Sequence, residues 1–175
     1  GAEAWNAAMH FPGQVATVIV PADHGWNEGA ADVPAPAMPS VPEVPSQIVA
    51  DIAEALRGAE GPIALYLGGR ALREEALHQA GRIAAATGAQ LICETFAARW
   101  QRGAGRVAVE RLPYFAEQAQ AFLAEFKTII ICGCEPPVSF FAYPGKASWL
   151  APDGVQLLRL ASLREDPLSA LSRLA

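Results

Sequence analysis

From residue 46 onward the sequence predicts an α/β fold: a doubly wound, Rossmann-like parallel sheet with helices on both faces. Three observations carry this. Strand-like runs alternate with segments of helical periodicity, in the order α-β-α-β-loop-α-β-loop-β-α. The strongest runs, Ile63–Leu67 and Thr128–Cys132, are almost wholly apolar, so both faces of the sheet must be covered. Glycine follows each of them, at Gly68-Gly69 and Gly133, where a strand must hand over to a crossover.

In chain order, residues 2–11 read as the last turns of a helix, and Pro12-Gly13 as a turn. Val15–Val20 is apolar and rich in β-branched residues, the composition of a buried strand. One strand beside one helix end cannot make a sheet, so this segment is expected to add to another sheet or to stand alone. Between Ala30 and Pro45 lie Pro34, Pro36, Pro39, Pro42 and Pro45. Proline fixes φ and lacks an amide donor, so the stretch reads as an extended, semi-rigid linker. The expected organisation is therefore a tail of a preceding domain at 1–29, a linker at 30–45, the α/β domain at 46–165 and the start of a further linker at 166–175.

Within the α/β region, Ser46 reads as an N-cap and Gly58 as a terminator, with Ile48, Val49, Ile52 and Leu56 on one helical face. A second helix carries Leu72, Ala76, Leu77, Ala80 and Ile83 at helical spacing and stops at Gly88. Gln90–Cys93 is a short strand, and residues 96–113 read as irregular. Phe115, Ala119, Phe122, Leu123 and Phe126 mark a third helical face. Residues 155–160 form the last strand, and Asp166 caps a final helix with Pro167 in its first position.

Composition narrows the function. Of 175 residues, 52 % are hydrophobic and 18 % charged, with a net charge of −5. That suits a packed core, and the low charge is matched equally by an Ala-rich chain or by a surface covered by other protein. The basic residues form no run, which argues against nucleic acid or an anionic membrane as partner. No apolar run approaches the ~20 residues needed to span a bilayer, and no signal pattern opens the chain. Cys93, Cys132 and Cys134 form no disulfide framework and no zinc spacing, so a reduced, cytoplasmic setting is expected.

Ligands of an open parallel sheet bind at the carboxyl ends of its strands. Those ends are Gly68-Gly69-Arg70, Glu94-Thr95 and Gly133-Cys134-Glu135. Gly68 and Gly69 could bring backbone amides to a phosphate, with Arg70 adding charge. The third glycine of the dinucleotide fingerprint is missing, so a tight strand-to-helix turn explains the pair as well. Glu94 could serve as a base, or could simply mark where solvent begins. His10, His24 and His78 lie far apart and suggest no triad. Phe140, Phe141, Tyr143 and Trp149 form an aromatic group in one loop, suited to a partner surface, a ligand lid or packing on its own domain. No catalytic and no metal-ligating residue is assigned.

Taken together, the segments Pro12–Asp23, Gly61–Gly69, Thr87–Phe96, Ile129–Gly133 and Pro137–Gly145 resemble thiamine-diphosphate-dependent enzymes. Pro12-Gly13-Gln14-Val15 leading to Pro21-Ala22-Asp23 resembles the end of their pyrimidine-binding domain. The segments from Gly61 onward resemble their central domain, closest to the acetolactate synthase and benzoylformate decarboxylase-like branch. The resemblance implies a three-domain, oligomeric parent that makes or breaks C–C bonds in 2-oxo acids, as a lyase or transferase. Thiamine diphosphate and Mg²⁺ would sit between the pyrimidine- and diphosphate-binding domains, the partners of this one. The activating glutamate would lie upstream of Gly1. The Gly-Asp-Gly motif with paired asparagines is not in this sequence, whose asparagines are Asn6 and Asn27. The fragment is thus expected to be non-catalytic and mainly structural. Some relatives hold FAD or ADP in the central domain; Gly68, Gly69, Arg70, Thr95, Gly133 and Glu135 are the positions that would line such a site. The flavin relatives' Met-His-Gly type loop is not found between Gly105 and Phe115. The alternatives are a free-standing FAD- or ADP-binding module and a small hydrolase.

Overall fold

The computed structural model describes residues 1–29, 32–34 and 36–175. It divides into two compact units, residues 1–41 and 42–175. Ala30, Ala31 and Ala35 of the expected linker lie outside the described residues.

The first unit contains helix α1, Ala2–Met9, and a 3-10 turn at Ala22–Gly25. Gly13, at φ 103°, turns the chain back so that its amide meets the His10 carbonyl. The expected strand at Val15–Val20 does not form. No ladder pairs it among the described residues, and Ile19 is 88 % exposed. The apolar, β-branched composition specifies an extended backbone, but a strand also needs a neighbour to take up its amides.

The second unit has helix α2 (Ser46–Gly58), strand β1 (Ile63–Leu67), a 3-10 turn (Gly69–Leu72), helix α3 (Glu74–Thr87) and strand β2 (Gln90–Cys93). Strand β3 (Glu110–Arg111), helix α4 (Ala116–Leu123), strands β4 (Thr128–Cys132) and β5 (Gln156–Ala161) and helix α5 (Pro167–Leu174) complete it. The sheet is parallel throughout, ordered β3-β2-β1-β4-β5. The chain starts at the centre, winds to one edge, then returns to build the other. That is the doubly wound arrangement, with its reversal between β1 and β4.

Alternation along the central strands sorts the core into two layers. Ile63, Leu65 and Leu67 face α2, α3 and α5 together with Ile130 and Cys132. Ala64 and Tyr66 face α4 together with Ile129 and Ile131. On the first face α5 packs against both α2 and α3. On the second, α4 supplies Ala119 and Leu123, and the connection from β4 to β5 supplies Leu150 in place of a further helix.

Local chemistry sets the helix ends. Gly88 takes φ 74° to close α3. The Asp166 carboxylate accepts from the amides of Leu168 and Ser169, with Pro167 at the first helical position. At α2 the expected cap is displaced: Ser46 is the first helical residue, and Pro45 holds the cap position without a side-chain bond. The Ser46 hydroxyl accepts instead from Arg173, whose other nitrogen reaches the Val44 carbonyl. That tie from α5 fixes residues 42–45 on this unit, as does the bond from the Asp166 amide to the Pro42 carbonyl. Two further expectations shift. Leu72 lies in the 3-10 turn ahead of α3, and the irregular 96–113 stretch contains β3.

Leu65, 1 % exposed in the central strand, should be costly to truncate. Leu65→Ala is expected to lose about 2–5 kcal/mol in urea denaturation, whereas Ile19→Ala should stay within about 0.5 kcal/mol. Asp166→Ala should cost about 1 kcal/mol by the same measurement.

Candidate functional site

The carboxyl ends of β1, β2 and β4 are knitted together by backbone. Gly68 N–H donates to the Cys132 carbonyl at 3.1 Å, Glu94 N–H to Leu67 at 3.1 Å, and Gly133 N–H to Ala161 at 2.9 Å. Glycine is required here for space. At Gly133, φ is 73° and a Cβ would lie 2.7 Å from the Gly68 carbonyl oxygen. At Gly69, φ is 50° and a Cβ would lie 2.8 Å from the Gly133 carbonyl oxygen. A Cβ on Gly68 would overlap the Cys134 side chain. Main chain therefore fills the space between the ends of β1 and β4.

The Gly69 amide, which a phosphate would seek, already donates to Glu94 Oε1 at 3.0 Å. Beyond the turn, α3 opens with Glu74 and Glu75, an acidic first turn that stabilises the helix and opposes an anion. Arg70 is exposed on the 3-10 turn.

The six residues singled out from the sequence thus separate. Gly68, Gly69 and Gly133 meet in that filled space. Thr95 and Glu135 line a cavity of about 360 Å³ beside it, on the α4 face, and Arg70 is not among its lining. Thr95 Oγ1 donates to the Leu112 carbonyl at 3.1 Å, tying the loop after β2 to the end of β3. Glu135 pairs with Arg159 of β5 at 2.9 Å. The floor is Tyr66 and Leu112, and Glu94 stands in the wall.

The rim is aromatic. Phe96 meets Tyr114 edge-on at 5.7 Å and Phe140 at 4.6 Å. Phe141 continues the group toward Tyr143 and Tyr114. An adjoining cavity of about 290 Å³ lies under Phe115, Phe141 and Tyr143, closed by the ion pair of Lys146 with Glu117. The loop aromatics were legible in the sequence, but Phe96 and Tyr114 were not connected with them. Trp149 takes no part in the ring contacts and bridges Val138 instead.

Burial pushes the Glu94 carboxyl above its ordinary range, and the Gly69 hydrogen bond opposes this. Burial also raises Tyr66, Cys132 and Cys134, which stay protonated. All three histidines are exposed, and none hydrogen-bonds a serine or cysteine side chain among the described residues. Among the described residues there is no group of three or more His, Cys, Asp or Glu able to hold a metal ion, and no helix is long and apolar enough to cross a membrane.

Gly133→Ala should destabilise by about 1–3 kcal/mol in urea denaturation, because the residue must keep a left-handed φ against the Gly68 carbonyl. For Glu94 the folded state binds its proton more tightly than the unfolded chain. Its ionisation therefore costs stability as pH rises from the ordinary carboxyl range through the raised value. Glu94→Gln keeps an oxygen for the Gly69 amide. It should be more stable than the parent chain at neutral pH, and the difference should vanish in acid.

No protein-family model matches the chain. The chain is 45 % identical, across 98 % of its length, to a Mycobacterium tuberculosis protein provisionally named acetolactate synthase large subunit IlvX, and it spans 33 % of that relative. Its fold matches the X-ray structure of a protein from Mycobacterium smegmatis, provisionally described as a thiamin diphosphate-dependent enzyme. There the TM-score is 0.72 with 23 % identity, covering 99 % of this chain and 35 % of that one. Over nearly its whole length, then, this chain resembles a domain, about a third in length, of a thiamine-diphosphate-dependent enzyme of the acetolactate synthase kind.

Proposed function

We propose that the chain is the mainly structural central domain of a thiamine-diphosphate-dependent parent acting on 2-oxo acids. The observation that carries this reading is the 45 % identity across 98 % of the chain against only a third of the relative. In this reading residues 1–29 are the tail of the preceding pyrimidine-binding domain, 30–45 the linker, its last residues tied down on the central domain 46–165, and 166–175, packed on that domain as α5, lead into the next linker. Val15–Val20, extended and unpaired, then awaits the sheet of that preceding domain. The parent is an oligomeric lyase or transferase, its other partners being the pyrimidine- and diphosphate-binding domains. Three free cysteines suit a reducing, cytoplasmic setting.

Thiamine diphosphate and Mg²⁺ do not fit this chain's own residues. The described residues offer no carboxylate cluster for the metal. The amide most open to a diphosphate, that of Gly69, is taken by Glu94. The contribution of the domain is structural: a parallel sheet clamped at its carboxyl edge.

A second reading is an FAD- or ADP-binding module on the same fold, favoured by the exposed Arg70 at the carboxyl edge of the sheet. Calorimetry separates the two. The isolated chain titrated with thiamine diphosphate and Mg²⁺, and then with ADP and FAD at millimolar concentration, should give flat traces. It should leave pyruvate unconsumed. A chain extended through both flanking domains should bind thiamine diphosphate. Saturable heat with ADP or FAD would replace the structural reading with the second one, and turnover by the isolated chain would overturn both.

A further inference from the structure

The cavity of about 360 Å³ has a size typical of small-molecule sites. Its lining combines aromatic rings with carboxylates and contains no lysine, arginine or histidine. We propose that it binds a compact alkylammonium cation, held against the rings of Phe96, Tyr114 and Phe140 with Glu94 as its counter-charge.

Four observations converge on that chemistry. Phe96 meets Tyr114 at 86° and Phe140 at 46°, and all three rings line the one cavity. A ring face carries partial negative charge, and rings set at angles to one another make a cage for a cation. Phe140 is 63 % exposed and Phe96 55 %, so the cage is open to a ligand. Glu94 stands in the wall with one oxygen engaged by the Gly69 amide, and neither lysine nor arginine is among the influences on its titration. Glu135 adds a second carboxylate at the mouth, partly offset by Arg159.

Two arginines of the bordering loop are drawn to the other side of the sheet, while Arg159 is paired with Glu135 and Lys146 with Glu117. Arg102 and Arg111 lie over the ring of Trp100, at 4.9 and 5.4 Å from its centre. Trp100 packs on the core layer under α2, α3 and α5, whereas Tyr66, Leu112 and Leu150 of the cavity belong to the α4 layer. Of the two lining carboxylates, Glu135 is offset by Arg159, so an ionised Glu94 leaves the lining with a net negative charge although the bordering loop is rich in arginine. A phosphate-bearing ligand is disfavoured there for the same reason.

The cation site is independent of the domain's structural role and can fail without touching it. The test is a ¹H–¹⁵N correlation titration of the 175-residue chain with choline and, in parallel, with 3,3-dimethyl-1-butanol, its neutral isostere. Choline should shift the amide signals of Phe96, Tyr114, Phe140 and Glu94 saturably, with an affinity at least about tenfold above that of the isostere. Phe140→Ala, a change at an exposed ring that leaves the core intact, should weaken choline binding by roughly three- to thirtyfold. Glu94→Gln should weaken it while leaving the isostere unaffected. Equal binding of choline and isostere would reduce the cavity to an apolar pocket and overturn the proposal. So would unsaturating shifts, or an unchanged affinity in Phe140→Ala with a native-like spectrum.

Discussion

The fold depends on one close approach, that of the main chain after β1 to the main chain after β4. Gly68, Gly69 and Gly133 lie so near each other that a side-chain carbon on any of them would strike a neighbour. Because these strands are adjacent at the sheet's centre, their mutual approach fixes the relative height of every other strand end. The Glu94 carboxylate reaches across from β2 to the Gly69 amide, extending the constraint to the next strand. The same approach leaves no room for a side chain between those two strand ends. The open cavity is displaced to the α4 side, under the aromatic loop.

The asymmetry of the two sheet faces arises from the connections. One face receives three helices, and the other receives α4 and a long loop. A loop shields less apolar surface than a helix, and here it leaves a run of half-exposed rings, among them Phe141 and Tyr143. That region is where the domain can meet something else, whether a small ligand or another polypeptide.

Much of the architecture was legible because its signals are local. The β4 run, the Gly88 stop and the Asp166-Pro167 cap each carry their structure in a few adjacent residues. The misses share one physical cause, which is that distant contacts decide them. Strand β3 is two residues long, Glu110–Arg111, and is defined by pairing with β2 rather than by composition. Ser46 has the chemistry of a cap, but Arg173 of α5 claims its hydroxyl. Val15–Val20 has the composition of a strand, but no described residue pairs with it to make it one. For the site, glycines and polar strand ends were found by position, whereas the rings of Phe96 and Tyr114 are far apart in sequence. Only the juxtaposed loops after β2 and β3 bring them together.

The unpaired Val15–Val20 run carries a hazard for the chain handled alone. It is uncharged, β-branched, free of proline and exposed, the makeup of segments that stack into cross-β assemblies. Pro12 and Pro21 bracket it and Asp23 lies just beyond, so growth of such a stack is interrupted at both ends. Those flanking residues act as gatekeepers, keeping an exposed apolar ribbon dispersed.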